Sequence, residues 1–214
     1  MSMFSICTSF VTQGELEGTI DSMIASETRF TTEIGVLSRR FFQCATQPHI
    51  LWAVTEWSSE KHHNDAAQSI MKTRRDDRIA SIRFGPEPYF EVFCTEIRAL
   101  RVGECSDRLR FVVVAHGLVS ARAHEPFRAL RDEHVARMAG RLDWLAVYTN
   151  KYNEAEFVAF LGFVDERAFD AVREVGDLRL EEYLFTGLRK PLGMSYLAGY
   201  NQFTCTPLSL ARRR

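Results

Sequence analysis

The sequence predicts an α+β fold in which one structural unit occurs twice. Three observations support this prediction. Both halves of the 214-residue chain read in the order strand, helix, strand, strand, helix, strand. The two halves align at a constant offset of 106 residues without gaps. Strand segments such as Val112, Val113 and Val114 are apolar at both parities, which indicates sheets that are covered on both faces.

The constant offset places each segment of the first half on a segment of the same kind in the second. The matched pairs are Ser5–Thr12 with Phe111–Leu118, Val36–Ala45 with Leu142–Lys151, Leu51–Ala66 with Phe157–Val172, Arg83–Pro88 with Arg189–Met194, and Tyr89–Thr95 with Ser195–Asn201. Few residues are identical, so the match is one of pattern. A single matched segment arises easily by chance, whereas four or five in one register do not, and the pattern therefore indicates an internal repeat.

Two helices are predicted in each half, and short turns join the middle strands. The helices span about Glu15–Phe30 and Ser59–Ala80 in the first half, and about Ala123–Ala139 and from Glu166 onward in the second. Ser58 and Asp165 are the expected N-caps of the second helices, because their side-chain oxygens can accept the first free N–H groups. Turns are expected at 46–49 and around 152–154, where Pro48 and Asn153 favour chain reversal.

The order of elements in each half is the ferredoxin-like arrangement. We expect a first repeat at 1–103, a second at 107–206 and a basic C-terminal tail at 207–214. Helices can cover one face of each sheet, and the other face needs a second sheet, for which the other half of the chain is the obvious candidate. The predicted fold class is therefore α+β, with two ferredoxin-like repeats packed sheet to sheet as an α+β barrel.

The composition argues against several classes of partner. The formal net charge of −1 gives no long-range field to attract nucleic acid or an anionic membrane. No apolar stretch approaches ~20 residues and the N-terminus does not resemble a signal peptide, so no membrane span or export is expected. The five cysteines are odd in number and none are spaced as CxxC, which argues against a disulfide framework and a zinc site. We expect a reduced, cytoplasmic protein.

Two segments carry a resemblance to a known superfamily. Ile50–Ala67 is an apolar strand ending in Trp57, followed by a polar cap and a helix, and Pro88–Cys94 is an aromatic closing strand. With these segments the sequence resembles the dimeric α+β barrel superfamily, and within it the antibiotic-biosynthesis-monooxygenase type. The resemblance covers nearly all of each half. It implies a barrel of two sheets, formed within one chain or by a homodimer, with a pocket that usually lies between a sheet and its helices.

The same resemblance implies a range of functions. It includes cofactor-independent monooxygenases of aromatic polyketides, haem-degrading monooxygenases, polyketide cyclases and small-acid isomerases, and the related tandem haem proteins include chlorite dismutases and dye-decolourising peroxidases. The haem-degrading type has an Asn on the first strand, and a Trp and a His on the second helix. The aligned positions here are Thr8, Ala66 and Asp76 in the first half, and Val114, Val172 and Glu182 in the second. Haem degradation is therefore not expected, and haem held by another ligand stays an alternative.

Candidate functional residues concentrate in the second half. Trp144 and Tyr148 share parity on one predicted strand and so face the same side, where the first half carries Ser38 and Phe42. Such a pair suits a phenolic or quinonoid substrate through stacking and hydrogen bonding, and the alternative is that both rings fill the core. His116, near the end of another strand, suits a general base, and the alternative is a partly solvated histidine at the sheet edge.

Further candidates are one tyrosine and three other histidines. Tyr196 on the last strand is a further candidate for substrate binding. His134 lies at helical spacing from apolar residues and so points toward the sheet, either as a site residue or as hydrogen-bonded core. The rises of ~1.5 Å per helical residue and ~3.3 Å per strand residue separate His134 from His116, so one metal ion cannot bind both. His62 and His63 are expected at a solvated helix start.

These features lead to one principal functional hypothesis and two alternatives. The resemblance implies a monooxygenase-like enzyme acting on a small aromatic or polyketide-like metabolite without a bound nucleotide cofactor. His116 and Tyr148 are the expected catalytic residues, and Trp144, Tyr196 and His134 the expected substrate-binding residues. The alternatives are a haem- or metal-binding barrel protein that uses a buried histidine, and a non-catalytic barrel that binds small molecules. No phosphate loop, GxGxxG or GxSxG pattern supports nucleotide or serine-hydrolase chemistry.

Overall fold

The computed structural model describes residues 3–29, 35–73, 90–119, 139–174 and 197–208, together with six helical residues between 125 and 136. The strands are β1 (Met3–Phe10), β2 (Val36–Cys44), β3 (Ile50–Trp57), β4 (Phe90–Glu96), β5 (Val102–Gly103), β6 (Phe111–Val119), β7 (Trp144–Asn150), β8 (Glu156–Phe163) and β9 (Leu197–Leu208). The α-helices with described bounds are α1 (Leu16–Arg29), α2 (Glu60–Thr73) and α3 (Glu166–Glu174). The predicted α+β class is confirmed. Among the described residues, no helix is long and apolar enough to cross a membrane.

The helix starts follow from their capping residues. Asp165 caps α3 as predicted, because its Oδ1 accepts the Ala168 N–H at 2.8 Å. The predicted cap of α2 is wrong by one residue: Ser59 Oγ accepts the His62 N–H at 3.2 Å. The hydroxyl of Ser58 donates instead to the Gly35 carbonyl at 3.1 Å, just before β2 begins. The predicted proline turns at 83–88 and 189–194 lie outside the described residues.

The chain divides into two compact units. Unit 1 comprises residues 1–95 and 205–214, and unit 2 comprises residues 96–204. Strand β9 is therefore divided, with Cys205–Leu208 in unit 1 and its earlier residues in unit 2. Pro207 and Leu208, which the sequence analysis placed in the tail, belong to this strand. The repeat boundaries at 103 and 107 describe a duplicated sequence pattern and stay a prediction.

Unit 1 is a sheet with two helices packed on one face. The strand order is β4, β1, β3, β2, β9, and the pairs with described register are antiparallel. The core beside α1 consists of Val11, Ile20, Met23, Ile24, Phe41, Leu51 and Ala53. Helix α2 packs through Ala66 against Val36 and Trp57. The β3 residues of the two clusters, Leu51, Ala53 and Trp57, share one parity, so both helices lie on the same face of the sheet.

Unit 2 is a second sheet with the strand order β9, β6, β8, β7, β5. One face packs against α3 in a core cluster of Leu100, Val113, Ala115, Val119, Leu142, Leu145, Val147, Phe157, Ala159, Leu161, Phe163 and Phe169. Residues of the opposite parity are buried as well, and Val114 and Phe160 have no exposed surface. The strands of this sheet are therefore buried at both parities, as their apolar sequences predict.

The strand register shows where the constant offset of 106 fails. Glu56 on β3 and Gly162 on β8 are 106 residues apart, but Glu56 pairs with Phe4 whereas Gly162 pairs with Val112, which is 108 residues after Phe4. The first strands of the two units therefore correspond at an offset of 108. A shift of two residues leaves the in–out alternation of a strand unchanged, so the hydrophobic pattern could not reveal it.

Candidate functional site

The strand register of unit 2 brings both predicted catalytic residues into one row. His116 of β6 pairs with Val158 of β8, and Val158 pairs on its other side with Tyr148 of β7. Directly opposed residues of antiparallel strands project from the same face of a sheet. His116 and Tyr148 therefore flank Val158 on one face, two strand spacings or about 10 Å apart along the sheet. The sequence pattern placed each residue on a strand, and only the register shows that they share a row.

A carboxylate that the sequence analysis missed holds His116. The His116 Nε2 lies 2.8 Å from Glu156 Oε1, and the side-chain amide of Asn150 donates to Glu156 Oε2 at 2.7 Å. The side chains of His116 and Glu156 are only 20% and 16% exposed. Because an ionised carboxylate only accepts hydrogen bonds, Nε2 carries the proton in this pair. Glu156 therefore fixes the orientation of the imidazole ring.

Glu156 could have been found only from the strand register. It begins β8 and pairs with Leu118, two residues after His116 on the neighbouring strand. In the sequence it follows the predicted turn, two residues after Glu154, and such a position is also typical of a solvated strand end. The one available signal is that Glu156 and Val158 have the same parity and so face the same side of the sheet. This signal points to a contact with His116 only if the pairing of Val158 with His116 is already known.

An aromatic row extends from Tyr148 along the same face. Phe160 lies between the two predicted aromatic residues, with ring centroids 5.8 Å from Trp144 and 6.0 Å from Tyr148. The interplanar angle to Tyr148 is 85°, which is an edge-to-face contact. All three rings are buried. Gly162 makes room for the indole, because a Cβ there would lie 3.0 Å from Trp144 Cε3.

These residues lie on the sheet face opposite the helix-packed core. Val113, Leu145 and Leu161 have the other parity and belong to the apolar cluster that includes Phe169 of α3. The family resemblance places the pocket between sheet and helices, and in unit 2 apolar side chains fill the described part of that space. The candidate residues His116, Tyr148 and Trp144 therefore lie on the face opposite the one on which the resemblance places the pocket.

The predicted counterparts of these residues in unit 1 are correct for two positions and wrong for one. Ser38 and Phe42 occupy the positions in unit 1 that Trp144 and Tyr148 occupy in unit 2, as predicted. The reason is that β2 pairs with β3 in the same register as β7 pairs with β8. The offset of 106 predicts Phe10 as the counterpart of His116. This prediction is wrong, because the first strands correspond at an offset of 108, which makes Thr8 the counterpart. His134 and Tyr196 lie outside the described residues.

Unit 1 contains a polar cluster on its helix-packed face. His63 of α2 is 7% exposed, and its Nε2 lies 3.5 Å from Glu91 Oε1 of β4. Trp57 meets the His63 ring edge-on at 5.0 Å, and Trp57 Nε1 donates to Ser5 Oγ at 3.0 Å. Of the two histidines expected at a solvated helix start, only His62 is exposed. The expectation for His63 is wrong because its side of α2 faces the sheet.

Burial and neighbouring polar groups shift the pKa values of the members of this cluster. Burial raises the pKa of the Cys7 thiol to about 12, and the nearby Glu91 charge adds to this effect. Burial lowers the pKa of Arg39, whose Nε donates to Thr55 Oγ1 at 3.3 Å. Burial also lowers the pKa of His63, but its hydrogen bonds to Glu91 and Asn64 outweigh that effect and raise the pKa overall. Cys7 is therefore a poor nucleophile, and the cluster is a set of hydrogen-bonded polar groups within a core.

Comparison with known proteins gives structural relatives only. No family model and no curated protein matches the sequence. A proposed monooxygenase from Fusobacterium nucleatum matches with a TM-score of 0.71 and 11% identity, over 97% of this chain and 93% of that chain. An anthrone oxidase-like protein matches with a TM-score of 0.66 and 12% identity, over 96% and 90% of the two chains. A mutant chlorite dismutase from Candidatus Nitrospira defluvii matches at 0.59 and 11%, over 96% and 90%.

The chain shares the ferredoxin-like α+β fold of these solved structures. The resemblance carried by Ile50–Ala67 and Pro88–Cys94 is thus confirmed at the level of fold. Members of this superfamily differ in chemistry while sharing a fold, so the activity has to be argued from the site. Among the described residues, no group of three or more His, Cys, Asp and Glu side chains could hold a metal ion. The arrangement in unit 2 combines an oriented imidazole, a phenol and an aromatic row.

Proposed function

We propose that the protein is a cofactor-independent monooxygenase of the antibiotic-biosynthesis-monooxygenase type that acts on a small aromatic metabolite. The observation that carries the proposal is the row in which His116 and Tyr148 flank Val158, with Glu156 bound to His116 at 2.8 Å. A base and a hydrogen-bond donor about 10 Å apart match the width of a fused aromatic ring system lying between them. The similarity to an anthrone oxidase-like protein and to a proposed monooxygenase supports the same class of substrate.

The proposed chemistry begins with a proton transfer to His116. In the tautomer favoured by Glu156 the proton lies on Nε2, so Nδ1 is the basic nitrogen of the ring. Removal of a proton from an activated CH₂ group yields a substrate anion and an imidazolium, which the Glu156 carboxylate stabilises. Tyr148 donates a hydrogen bond to the developing oxyanion, and Trp144 provides the apolar wall against which the ring stacks.

The substrate anion then supplies the electrons that reduce dioxygen. One oxygen atom becomes the carbonyl oxygen of the product, and the other leaves as water, so that CH₂ plus O₂ gives C=O plus H₂O. Two hydrogens leave the carbon, one as the proton that His116 accepts. No external reductant is needed, which is consistent with a protein that orients the substrate and excludes water without a nucleotide cofactor.

The proposal can be tested with anthrone and dissolved oxygen. We expect oxygen uptake to accompany quinone formation in equal amounts. His116→Gln should lower kcat/KM by about 10²- to 10⁴-fold, the usual contribution of a general base. Glu156→Gln keeps a hydrogen-bond acceptor but removes the charge, and a smaller loss is expected. His49→Gln is the matched control, because His49 is exposed in the turn after β2 and should leave turnover unchanged.

Tyr148→Phe separates the hydroxyl from the ring. We expect about a 5- to 10-fold loss of turnover, the value of one hydrogen bond, with little change in stability. Phe42→Leu, at the corresponding position of unit 1, should leave the specific activity of the folded protein nearly intact. Absence of oxygen uptake with every activated-methylene aromatic tested, or a silent His116→Gln, would contradict the proposal and favour a non-catalytic binding role.

Haem binding is the second candidate, and the likeness to a chlorite dismutase favours it. The described histidines do not fit an axial ligand. His63 and His116 direct Nε2 to carboxylates, and His49 and His62 are exposed. A histidine ligand to haem would therefore have to be His124 or His134, which lie outside the described residues. A Soret band after addition of hemin, abolished by His134→Ala, would support this candidate over the oxygenase.

A further inference from the structure

Two buried cysteines lie directly opposite each other in unit 1. Cys44 at the end of β2 pairs with Cys205 of β9 in the antiparallel ladder. Their exposed fractions are 1% and 0%. Directly opposed residues project from the same face, with Cβ atoms about 4.5–5.5 Å apart. Each thiol also shifts the pKa of the other, that of Cys44 downward and that of Cys205 upward. The remaining cysteines, Cys7, Cys94 and Cys105, have no such partner position in the described strand pairs.

From this geometry we infer that Cys44 and Cys205 form a peroxide-oxidisable dithiol that closes to a disulfide between β2 and β9. Opposed Cα atoms of an antiparallel pair lie about 4.5–5.5 Å apart, within the range of about 4.4–6.8 Å that disulfides span. The Cβ atoms need to approach by less than about 1 Å to reach disulfide geometry. Closure therefore needs a side-chain rotation and a small strand adjustment, with no change of register.

The surroundings of Cys44 make it the reacting sulfur. The hydrogen bond from Cys205 lowers the pKa of Cys44, and the Thr46 hydroxyl and the backbone of the following turn act in the same direction. Thr46 Oγ1 lies 3.4 Å from Cys44 Sγ. The same hydrogen bond and burial raise the pKa of Cys205. The pair thus shares its protons unequally, with Cys44 as the nucleophile and Cys205 as the resolving thiol.

The oxidation balances with one hydrogen peroxide. The Cys44 thiolate attacks one peroxide oxygen, the O–O bond breaks, and a sulfenic acid forms with release of hydroxide, which takes up a proton to give water. The Cys205 sulfur then attacks the sulfenic sulfur, the S–O bond breaks, and a second water leaves. Two thiols and one H₂O₂ give one disulfide and two waters. The two sulfurs lose two electrons, and the peroxide gains them.

The bond would fasten the only segment of β9 that belongs to unit 1. Four residues, Cys205–Leu208, pair with Phe41–Cys44, and this short ladder is what joins β9 to the edge of β2 in the described register. A disulfide at its first pair would prevent the segment from fraying. It would also close a covalent loop from residue 44 to residue 205, which restricts the unfolded chain.

Peptide mapping of the full chain tests the inference directly. The reduced protein is treated with hydrogen peroxide, its remaining thiols are alkylated under denaturing conditions, and it is digested without reduction. We expect one peptide pair linked through Cys44 and Cys205, alkylation of Cys7, Cys94 and Cys105, and loss of the link after treatment with a thiol reductant. Oxidation should also raise the thermal midpoint.

Variants provide the specificity control. Cys44→Ser and Cys205→Ser should each abolish the linked pair and the thermal shift. Cys94→Ser, which removes an equally buried cysteine of β4, should leave both intact. Mapping of the wild-type protein does not depend on the folding of any variant. Full alkylation of Cys44 and Cys205 after peroxide treatment, a link to another cysteine, or oxidation of Cys44 to a sulfinic acid without a link would overturn the inference.

Discussion

Adding one methyl group at Gly162 tests whether Trp144 lies where the structure places it. A Cβ at Gly162 would lie 2.8 Å from Leu109 Cδ1, 3.0 Å from Trp144 Cε3 and 3.1 Å from Trp144 Cβ. Carbon atoms in favourable contact are about 3.5–4.0 Å apart, so both neighbours have to move by roughly 0.5 Å or more. Leu109 and Trp144 are 1% and 5% exposed, so the surrounding core resists this movement. Overpacking of this kind costs about 1–3 kcal/mol.

The assay is urea unfolding of Gly162→Ala beside two other glycine variants. A Cβ at Gly140 or at Gly18 meets no atom within 4 Å. Gly140→Ala is the neutral control, and Gly18→Ala lies within α1 and should stabilise the protein by about 0.5–1 kcal/mol. Gly162→Ala should lose about 1–3 kcal/mol and should also weaken binding of aromatic ligands, since the indole is displaced. A Gly162→Ala protein as stable as wild type would refute the placement of Trp144 over this glycine.

Three further predictions concern single contacts. Because the pKa of His63 is raised, its stabilising interaction is fully present below about pH 6.5 and is lost as the pH rises through the raised value. His63→Gln should therefore lower the thermal midpoint more at about pH 5.5 than at about pH 8.5, and a pH-independent difference would contradict the assignment. Trp57→Phe removes the bond to Ser5 and should cost about 1–3 kcal/mol in urea unfolding, with an unchanged midpoint as the contrary result. Asp165→Ala should cost about 1 kcal/mol, and rescue by Asp165→Asn would show that the loss is one of capping.

These helices and strands can be predicted from the sequence because the signals for them come from residues that are close together in the chain. The alternation of apolar residues, the apolar run that ends at Trp57 and the capping Asp165 predict the starts of β3, α2 and α3 within one residue. Such features depend on neighbours along the chain, whose geometry is fixed by helix and strand periodicity. Even so, the N-cap of α2 depends on a residue far away in the sequence. The hydroxyl of Ser58 donates to the Gly35 carbonyl, and Ser59 caps the helix instead.

The contacts of the candidate site were less predictable because they depend on register. Trp144 and Tyr148 were placed on one face by parity alone, and the structure agrees. The bond between His116 and Glu156 joins residues 40 positions apart and requires the pairing of β6 with β8. The burial of His63 likewise depends on Glu91 of β4, whose distance in sequence hides the contact. A polar helix start that packs under a strand has the same sequence signature as one in solvent.

The division of β9 affects how the protein can be made. Strand β2 finds its outer neighbour about 160 residues later in the chain, when Cys205–Leu208 has been synthesised. Until then the edge of β2 has unpaired N–H and C=O groups that can pair with other chains. During translation the sheet of unit 1 therefore cannot be completed until residues 205–208 have been synthesised. Pairing between strands so far apart in sequence is also slow. A fragment that stops near residue 95 should aggregate, and adding a peptide that contains residues 205–208 should relieve the aggregation.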